Sequence, residues 1–322
     1  MTFIRSARAA ALALVAALAQ GAHAQAWPSK PITLIVPFAA GASADGIARI
    51  VGKELTTALG QQVLVDNKPG AGGATGLIAV AKAEPDGYTI GLGATGAIAV
   101  NPNLPDSPPL KPDQQLQPLA KLADIPLVLV AGSQAGMPNL KALLDKAKSA
   151  DVAVGNAGVY TSQHLAAELL ASMSKARLSS VPYRGSAPAV TDVLGGQIPA
   201  AMVDLTSAAA HVKSGALVAL AVTSPARTKV APAIPTMAEG GVAGYSATAW
   251  MGLFAPKGVP QATLDRLTHE IQMVLAKPEV QAQILALSAE PAFLDGPKFG
   301  AFIAGESKKW AQLIATIPKP TK

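Results

Sequence analysis

Short apolar runs and amphipathic stretches alternate along this chain, and that alternation limits what it can fold into. Pro31 to Val36 is a buried-strand run closed by Pro37. The loop Phe38 to Ser43 follows. A helix is predicted from about Ala44 to Leu59, with Ile47, Ile50, Val51 and Leu55 on one face and Gly60 as its stop. Val63 to Val65 reads as the second strand, Leu77 to Lys82 as a helix, and Tyr88 to Leu92 as the third strand. Strand, helix and strand joined by short loops require a parallel sheet covered by helices.

The pattern resumes after residue 125. Strands are predicted at 127–130, 152–154, 178–181, 200–203 and 217–222, with helices at 139–148, 162–173, 188–194 and near Ala208. The last part reads as mostly helical, with one apolar stripe through Leu264, Leu267, Ile271 and Val274 and another through Phe299, Phe302, Ile303, Trp310 and Leu313. Proline-rich stretches at 102–118 and 225–235 read as surface connections. Two α/β segments and a helical return make two lobes, with a cleft between them outside the carboxyl ends of the strands.

Residues 1–24 read as a secretory signal peptide. Arg5 and Arg8 form its basic start, Ala9 to Ala19 its apolar stretch, and Ala22-His23-Ala24 its cleavage site. That stretch, roughly 17 Å long as a helix, is too short for a bilayer core of about 30 Å. The chain has no cysteine, so disulfides, thiol catalysis, thiolate metal sites and an N-terminal lipid are excluded. Export without cysteine places the mature chain free in a bacterial periplasm. Removing Arg5 and Arg8 takes two from the formal net charge of +6. With 4% aromatic residues, what remains is no footprint for nucleic acid.

Catalytic signals are thin. Gly91-Leu92-Gly93-Ala94-Thr95-Gly96 fits the dinucleotide spacing, but it follows a third strand and Pro102 soon ends any helix. His164, His211 and His269 have no second ligand at metal spacing, and there is no G-x-S-x-G elbow. Neither a cofactor nor a metal is implied. What recurs instead is a small-residue loop leading from a strand into a helix, at 38–45, 93–97, 156–164 and 184–188. The first N–H groups of a helix have no partner within it and carry the positive end of its dipole, so such ends hold anions without Lys or Arg. The same loops also suit ordinary strand-to-helix turns with Ser/Thr caps.

An ordered set of motifs carries a resemblance. It comprises Trp27-Pro28-Ser29-Lys30-Pro31-Ile32, Val36-Pro37-Phe38-Ala39-Ala40-Gly41-Ala42-Ser43-Ala44-Asp45, Asp66-Asn67-Lys68-Pro69-Gly70-Ala71-Gly72-Gly73, Pro85-Asp86-Gly87-Tyr88-Thr89, Val181-Pro182-Tyr183-Arg184-Gly185-Ser186-Ala187-Pro188-Ala189 and Trp250-Met251-Gly252-Leu253-Phe254-Ala255-Pro256. From Trp27 to about Pro318 the chain resembles the substrate-binding proteins of tripartite tricarboxylate transporters, the Bug-type receptors. The resemblance implies a two-lobed periplasmic binding protein of type II. Each lobe would be a mostly parallel sheet flanked by helices, with hinge strands between. Lobe 1 would be 25–124 and 247–322, and lobe 2 would be 125–246.

Such a receptor, expected as a monomer, closes on a small carboxylate-bearing ligand and delivers it to a membrane permease; some family members serve signalling. Carried over, Phe38, Ala39, Ala40, Gly41, Ala42, Ser43 and Asp45 form the first ligand loop, whose backbone holds a carboxylate with help from the Ser43 hydroxyl. Thr95, Gly96 and Ala97 form the second loop. Tyr160, Thr161, Ser162 and His164 form the third, and Arg184, Gly185 and Ser186 the fourth. Asp204 either faces the cleft or caps the helix 206–212. The alternatives to a transport receptor are a ligand-loaded partner of a periplasmic sensor and, behind it, a cofactor-free periplasmic hydrolase using Ser/Thr and His164. Departures from the family pattern are Ala42 where a second glycine is usual, the stretch 103–118, and the bulky Val159-Tyr160. The last points to a smaller or aromatic ligand.

Overall fold

The computed structural model describes residues 27–40, 43–104 and 107–317. The expected signal peptide and the loop residues Gly41 and Ala42 lie outside the described residues. The first α/β segment runs β1 (Ile32–Val36), α1 (Ser43–Leu59), β2 (Val63–Asn67), α2 (Ala74–Ala81) and β3 (Thr89–Ala94). A π turn, Gly96–Val100, and a short helix, α3 (Pro112–Gln115), lead to β4 (Leu116–Ile125). The second segment runs β5 (Leu127–Gly132), α4 (Leu140–Ser149), β6 (Val152–Asn156), α5 (Ser162–Ser174), β7 (Leu178–Pro182), α6 (Ser186–Leu194), β8 (Ala200–Asp204), α7 (Leu205–Lys213) and β9 (Leu217–Val222). The chain returns through β10 (Ala249–Pro256), α8 (Gln261–Ala276), α9 (Pro278–Ala286), β11 (Glu290–Asp295) and α10 (Gly296–Ile314).

Two sheets result, in the orders β11-β4-β10-β3-β1-β2 and β7-β6-β8-β5-β9. The two-lobed α/β architecture is the expected one, but the sheets are mixed rather than mostly parallel. β1 runs parallel to β2 and β3, and β6 parallel to β7 and β8, because helices return the chain between them. β4 and β5 join across Pro126 with no helix to turn the chain round, and β10 comes back from the other sheet. These strands therefore pair antiparallel with β3, β8 and β9, as β11 does with β4.

The stretch 102–118 is more than a surface connection. Leu110 and Pro112 are buried, and residues 116–118 open β4. The return segment, expected as mostly helical, also supplies β10 and β11. Pro291 sits at an irregularity of β11, an edge strand where a missing N–H is tolerated.

Helix faces follow the apolar periodicity. Ala44, Ile47, Ala48, Val51 and Leu55 of α1 are buried, and Gly60 ends it in the left-handed region at φ +67°. Leu267, Ile271 and Val274 of α8 join the same core. A second core reaches across both sheets, from Leu127 and Leu165 to Trp250, Phe299 and Trp310. There Trp250 meets Phe299 and Phe302 edge-on, with centroids 5.3 and 5.6 Å apart. The dinucleotide-like spacing has a packing cause. A Cβ on Gly91 would lie 2.3 Å from Val80 Cγ2, and one on Gly93 would lie 2.5 Å from Phe254 Cε2. Among the described residues no helix is long and apolar enough to cross a membrane.

Candidate ligand site at the crossing between the lobes

Strand register decides where the predicted loops go. β1, β2 and β3 are parallel, so Val36, Asn67 and Ala94 end at one edge of their sheet. β6, β7 and β8 are parallel too, so Asn156, Pro182 and Asp204 end together. Ala94 pairs with Met251, and Met251 with Ala123, two residues before β4 ends at Ile125. On the other side of Pro126, Leu127 pairs with Asp204. The carboxyl ends of β3 and β8 thus adjoin the same crossing, Ala94 being two strands, or about 10 Å, from β4. The second crossing is stitched to the first: Thr223 Oγ1 accepts from Leu127 N at 3.1 Å, and its carbonyl accepts from Ala247 N at 3.0 Å.

In the first lobe, side chains brace the loops. Asn67 Nδ2 donates to the Phe38 carbonyl at 3.0 Å and to Asp45 Oδ1 at 2.9 Å. Arg49 Nε donates to Asp45 Oδ2 at 3.0 Å, and its Nη2 to Asn67 Oδ1 at 3.1 Å. The carboxylate raises the Arg49 pKa further above its already high value, chiefly through their hydrogen bond. Asp45, expected among the ligand residues, is buried in the first turn of α1, where the helix dipole favours its charge. Its carboxylate faces the loop's own bracing. Gly73 lies at φ +99°, and a Cβ there would be 3.4 Å from Ala97 Cβ and 3.6 Å from Phe38 Cζ. The first and second loops therefore meet over Gly73.

Thr95 is buried as well. Its hydroxyl accepts from Trp250 N at 2.8 Å and lies 3.4 Å from the Trp250 carbonyl, so it fastens the second loop to β10. Gly96 then opens the π turn, and Ala97 is buried within it. Ala39, Ala40 and Ser43 are exposed.

The second lobe uses other means. Tyr160 lies at φ +61°, a conformation rare for a bulky residue. Its N–H donates to His164 Nδ1 at 3.1 Å, and the two rings meet edge-on. Because Nδ1 accepts, the ring proton sits on Nε2, 3.5 Å from Glu168 Oε1. Thr161 Oγ1 donates to the Gly158 carbonyl at 2.7 Å and accepts from His164 N at 3.3 Å, capping α5. His164 is buried and clamps the third loop. Among the described residues neither ring nitrogen meets a hydroxyl, so the arrangement a Ser/Thr–His hydrolase needs is not seen at His164.

Asp204 does not take the capping role its position allows. It precedes α7, but its side chain makes no cap bond. Instead Oδ1 accepts from Gln163 Nε2 at 2.7 Å and Oδ2 from Ser186 Oγ at 2.8 Å, which ties the starts of α5, α6 and α7 together. Gln163 was missed by the sequence reading. Its only signal is position, one residue inside the helix that the third loop opens. Gly185, at φ +116°, turns the chain into α6. Arg184 beside it is exposed and has no ion pair among the described residues. Tyr183 donates to Asp192 at 2.7 Å; partial desolvation first and that bond second push its phenol up to about 12.

Chemically, the strand ends of the two sheets offer the N-terminal N–H groups of α1, the π turn, α5 and α6, together with the guanidinium of Arg184, which has no ion pair among the described residues. That set can hold an anion. Among the described residues no group of acidic, His or Cys side chains is placed to hold a metal. These strand ends are distinct from a hollow of about 690 Å³ elsewhere in the first lobe, which none of the loop residues named above lines.

Two α/β lobes joined by crossing strands define a solute-binding protein of the periplasmic type. A family model described as the tripartite tricarboxylate transporter family receptor matches residues 47–318, and the chain belongs to that family, whose members are receptors rather than enzymes. It is 36% identical over 302 residues to protein BugT of Bordetella pertussis, covering 93% of each chain. A ligand-free TctC solute-binding protein from Polaromonas superposes with a TM-score of 0.82 at 30% identity, covering 90% of this chain and all of that one. A Rhodopseudomonas palustris protein with adipate gives 0.76 at 27% identity, covering 90% and 98%. MatC from the same organism, with bound malate, gives 0.72 at 28% identity, covering 89% and 100%.

Proposed function

We propose that this chain is exported through residues 1–24, cleaved after Ala24, and works as a monomer in the periplasm. It captures a small carboxylate-bearing ligand and passes it to the membrane permease of a tripartite transporter. Residues 25–124 with 247–322 form one jaw, and 125–246 the other. The observation that carries this reading is the register that brings the ends of β3 and β8 to one crossing. The adipate and malate held by two relatives fit the chemistry of those strand ends. In the proposed site, backbone N–H groups of Ser43, Gly96, Ala97, Ser162 and Ser186 hold carboxylate oxygens and Arg184 supplies charge. Phe38, Asp45, Thr95, Tyr160, Thr161, His164, Gly185 and Asp204 shape and fix the loops.

The test is a thermal-shift panel of adipate, malate, amino acids and aromatic acids. A ligand at a hundred times its Kd stabilises the chain by about 2.7 kcal/mol, a shift of a few degrees. At least one acid is expected to do so; a panel with no shift overturns the proposal.

A further inference from the structure

The hollow of about 690 Å³ lies between the π turn, β4, β10 and α10. Its walls are mainly apolar, with Ile98, Leu116, Phe254 and Ile303 among them. The floor is the face of α10 that carries Gly300, Ala304 and Ser307. Sites for small molecules have this character, about 300–1,000 Å³, apolar, with a few polar groups to orient the ligand. Here Asn103 and Gln117 supply neutral polar groups. Lys257 and Lys308 are exposed on its lining. Among the described residues Lys257 Nζ donates to the neutral Gln117 Oε1, at 3.1 Å, and neither Lys257 nor Lys308 has an acidic partner. Among the described residues of the lining Asp113 is the one carboxylate, against Lys257 and Lys308.

An apolar chamber with an unneutralised cation on its lining complements a molecule with an apolar body and an anionic head. We infer that this hollow is a second binding site, for an amphipathic monocarboxylate with a chain of roughly eight to twelve carbons. It is separate from the crossing between the lobes and does not depend on the ligand held there. It shares Ile98 with the π turn whose first residue, Gly96, belongs to the second ligand loop.

Decanoate, below its micelle concentration, is the probe, titrated calorimetrically into the full mature chain. Gly300→Leu fills the chamber: a Cβ at Gly300 has Pro118 Cγ at 3.9 Å as its nearest neighbour, and Leu is a better helix former than Gly. Wild type is expected to bind decanoate with a Kd below 1 mM, which is about −4.1 kcal/mol or tighter. Gly300→Leu should weaken binding at least tenfold and Lys308→Glu about threefold, while Arg184→Met at the crossing leaves it unchanged. Decanol should bind more weakly than decanoate. Four results overturn the inference: no binding to wild type, binding indifferent to Gly300→Leu, loss in Arg184→Met, or decanol binding as tightly as decanoate. A concentration-dependent dimer dispersed by Gly300→Leu would assign the hollow to a second copy of the chain and also overturn it.

Discussion

In the first lobe two loop side chains brace the structure: Asp45 through Arg49 and Asn67, and Thr95 through the backbone of Trp250. In the second lobe the bracing is done by His164, Thr161 and Asp204, and one cation, Arg184, is left without an acidic partner among the described residues. In the proposed site the first lobe therefore contributes mainly backbone N–H groups held by that bracing. The second adds an exposed charge, Arg184, and the bulky Val159 and Tyr160 of its own third loop. On the proposed function this division separates anchoring from selection, and it can be broken by substitutions that should act on one quality without the other.

The largest effect is expected at Asp45. Asp45→Ala removes a buried carboxylate and leaves Asn67 without an acceptor that positions Phe38. Arg49 is 53% exposed, which softens the loss. Stability should fall by about 2 kcal/mol in urea unfolding, with ligand affinity falling alongside. An unchanged unfolding midpoint would mean that the first loop is not braced by charge. Arg184→Met should do the opposite: roughly ten- to a hundredfold weaker binding of the stabilising acid by calorimetry, with the melting temperature of the free chain unchanged. If binding survives, selection does not reside in this guanidinium.

The smallest effect concerns pH. Tyr183 is held protonated up to about 12 in the folded chain, against an ordinary value near 10. Its contribution to stability is therefore present below about pH 10 and is lost as pH rises toward 12, since the unfolded chain gives up the proton first. The ultraviolet difference titration of wild type against Tyr183→Phe should centre near 12; a midpoint near 10 would remove the Asp192 bond from the account of the fourth loop.

The parallel units were legible because their signals are local: apolar runs such as Ile32–Val36 and the buried stripe of α1 need only a few neighbouring residues to be seen. β4 was not legible. It contains Pro118, Lys121 and Asp124, and its strand state depends on partners more than a hundred residues away in β10 and β11. Lys121 is buried there because Asp124 lies 2.7 Å from its ammonium and the Phe302 ring lies beneath it. Burial in turn raises the Asp124 pKa, against the pull of Lys121.

At the candidate site, the loops could be read from small residues between strand and helix, whereas the roles of their side chains could not. Thr95 finds its partner at Trp250, and Asp204 finds its partners at Gln163 and Ser186. Sequence spacing carries no trace of those pairings, so the bracing bonds of Asp45, Thr95 and His164 could not be read from it.

Amide chemical shifts of the nitrogen-15-labelled mature chain test the central claim most directly. The chain would be titrated with adipate or malate, whichever stabilises it more. The N–H signals of Ser43, Gly96 and Ala97 in one lobe, and of Ser162 and Ser186 in the other, are predicted to move together along one saturating curve. Movement in a single lobe, or movement confined to α10 while these five stay still, would contradict it.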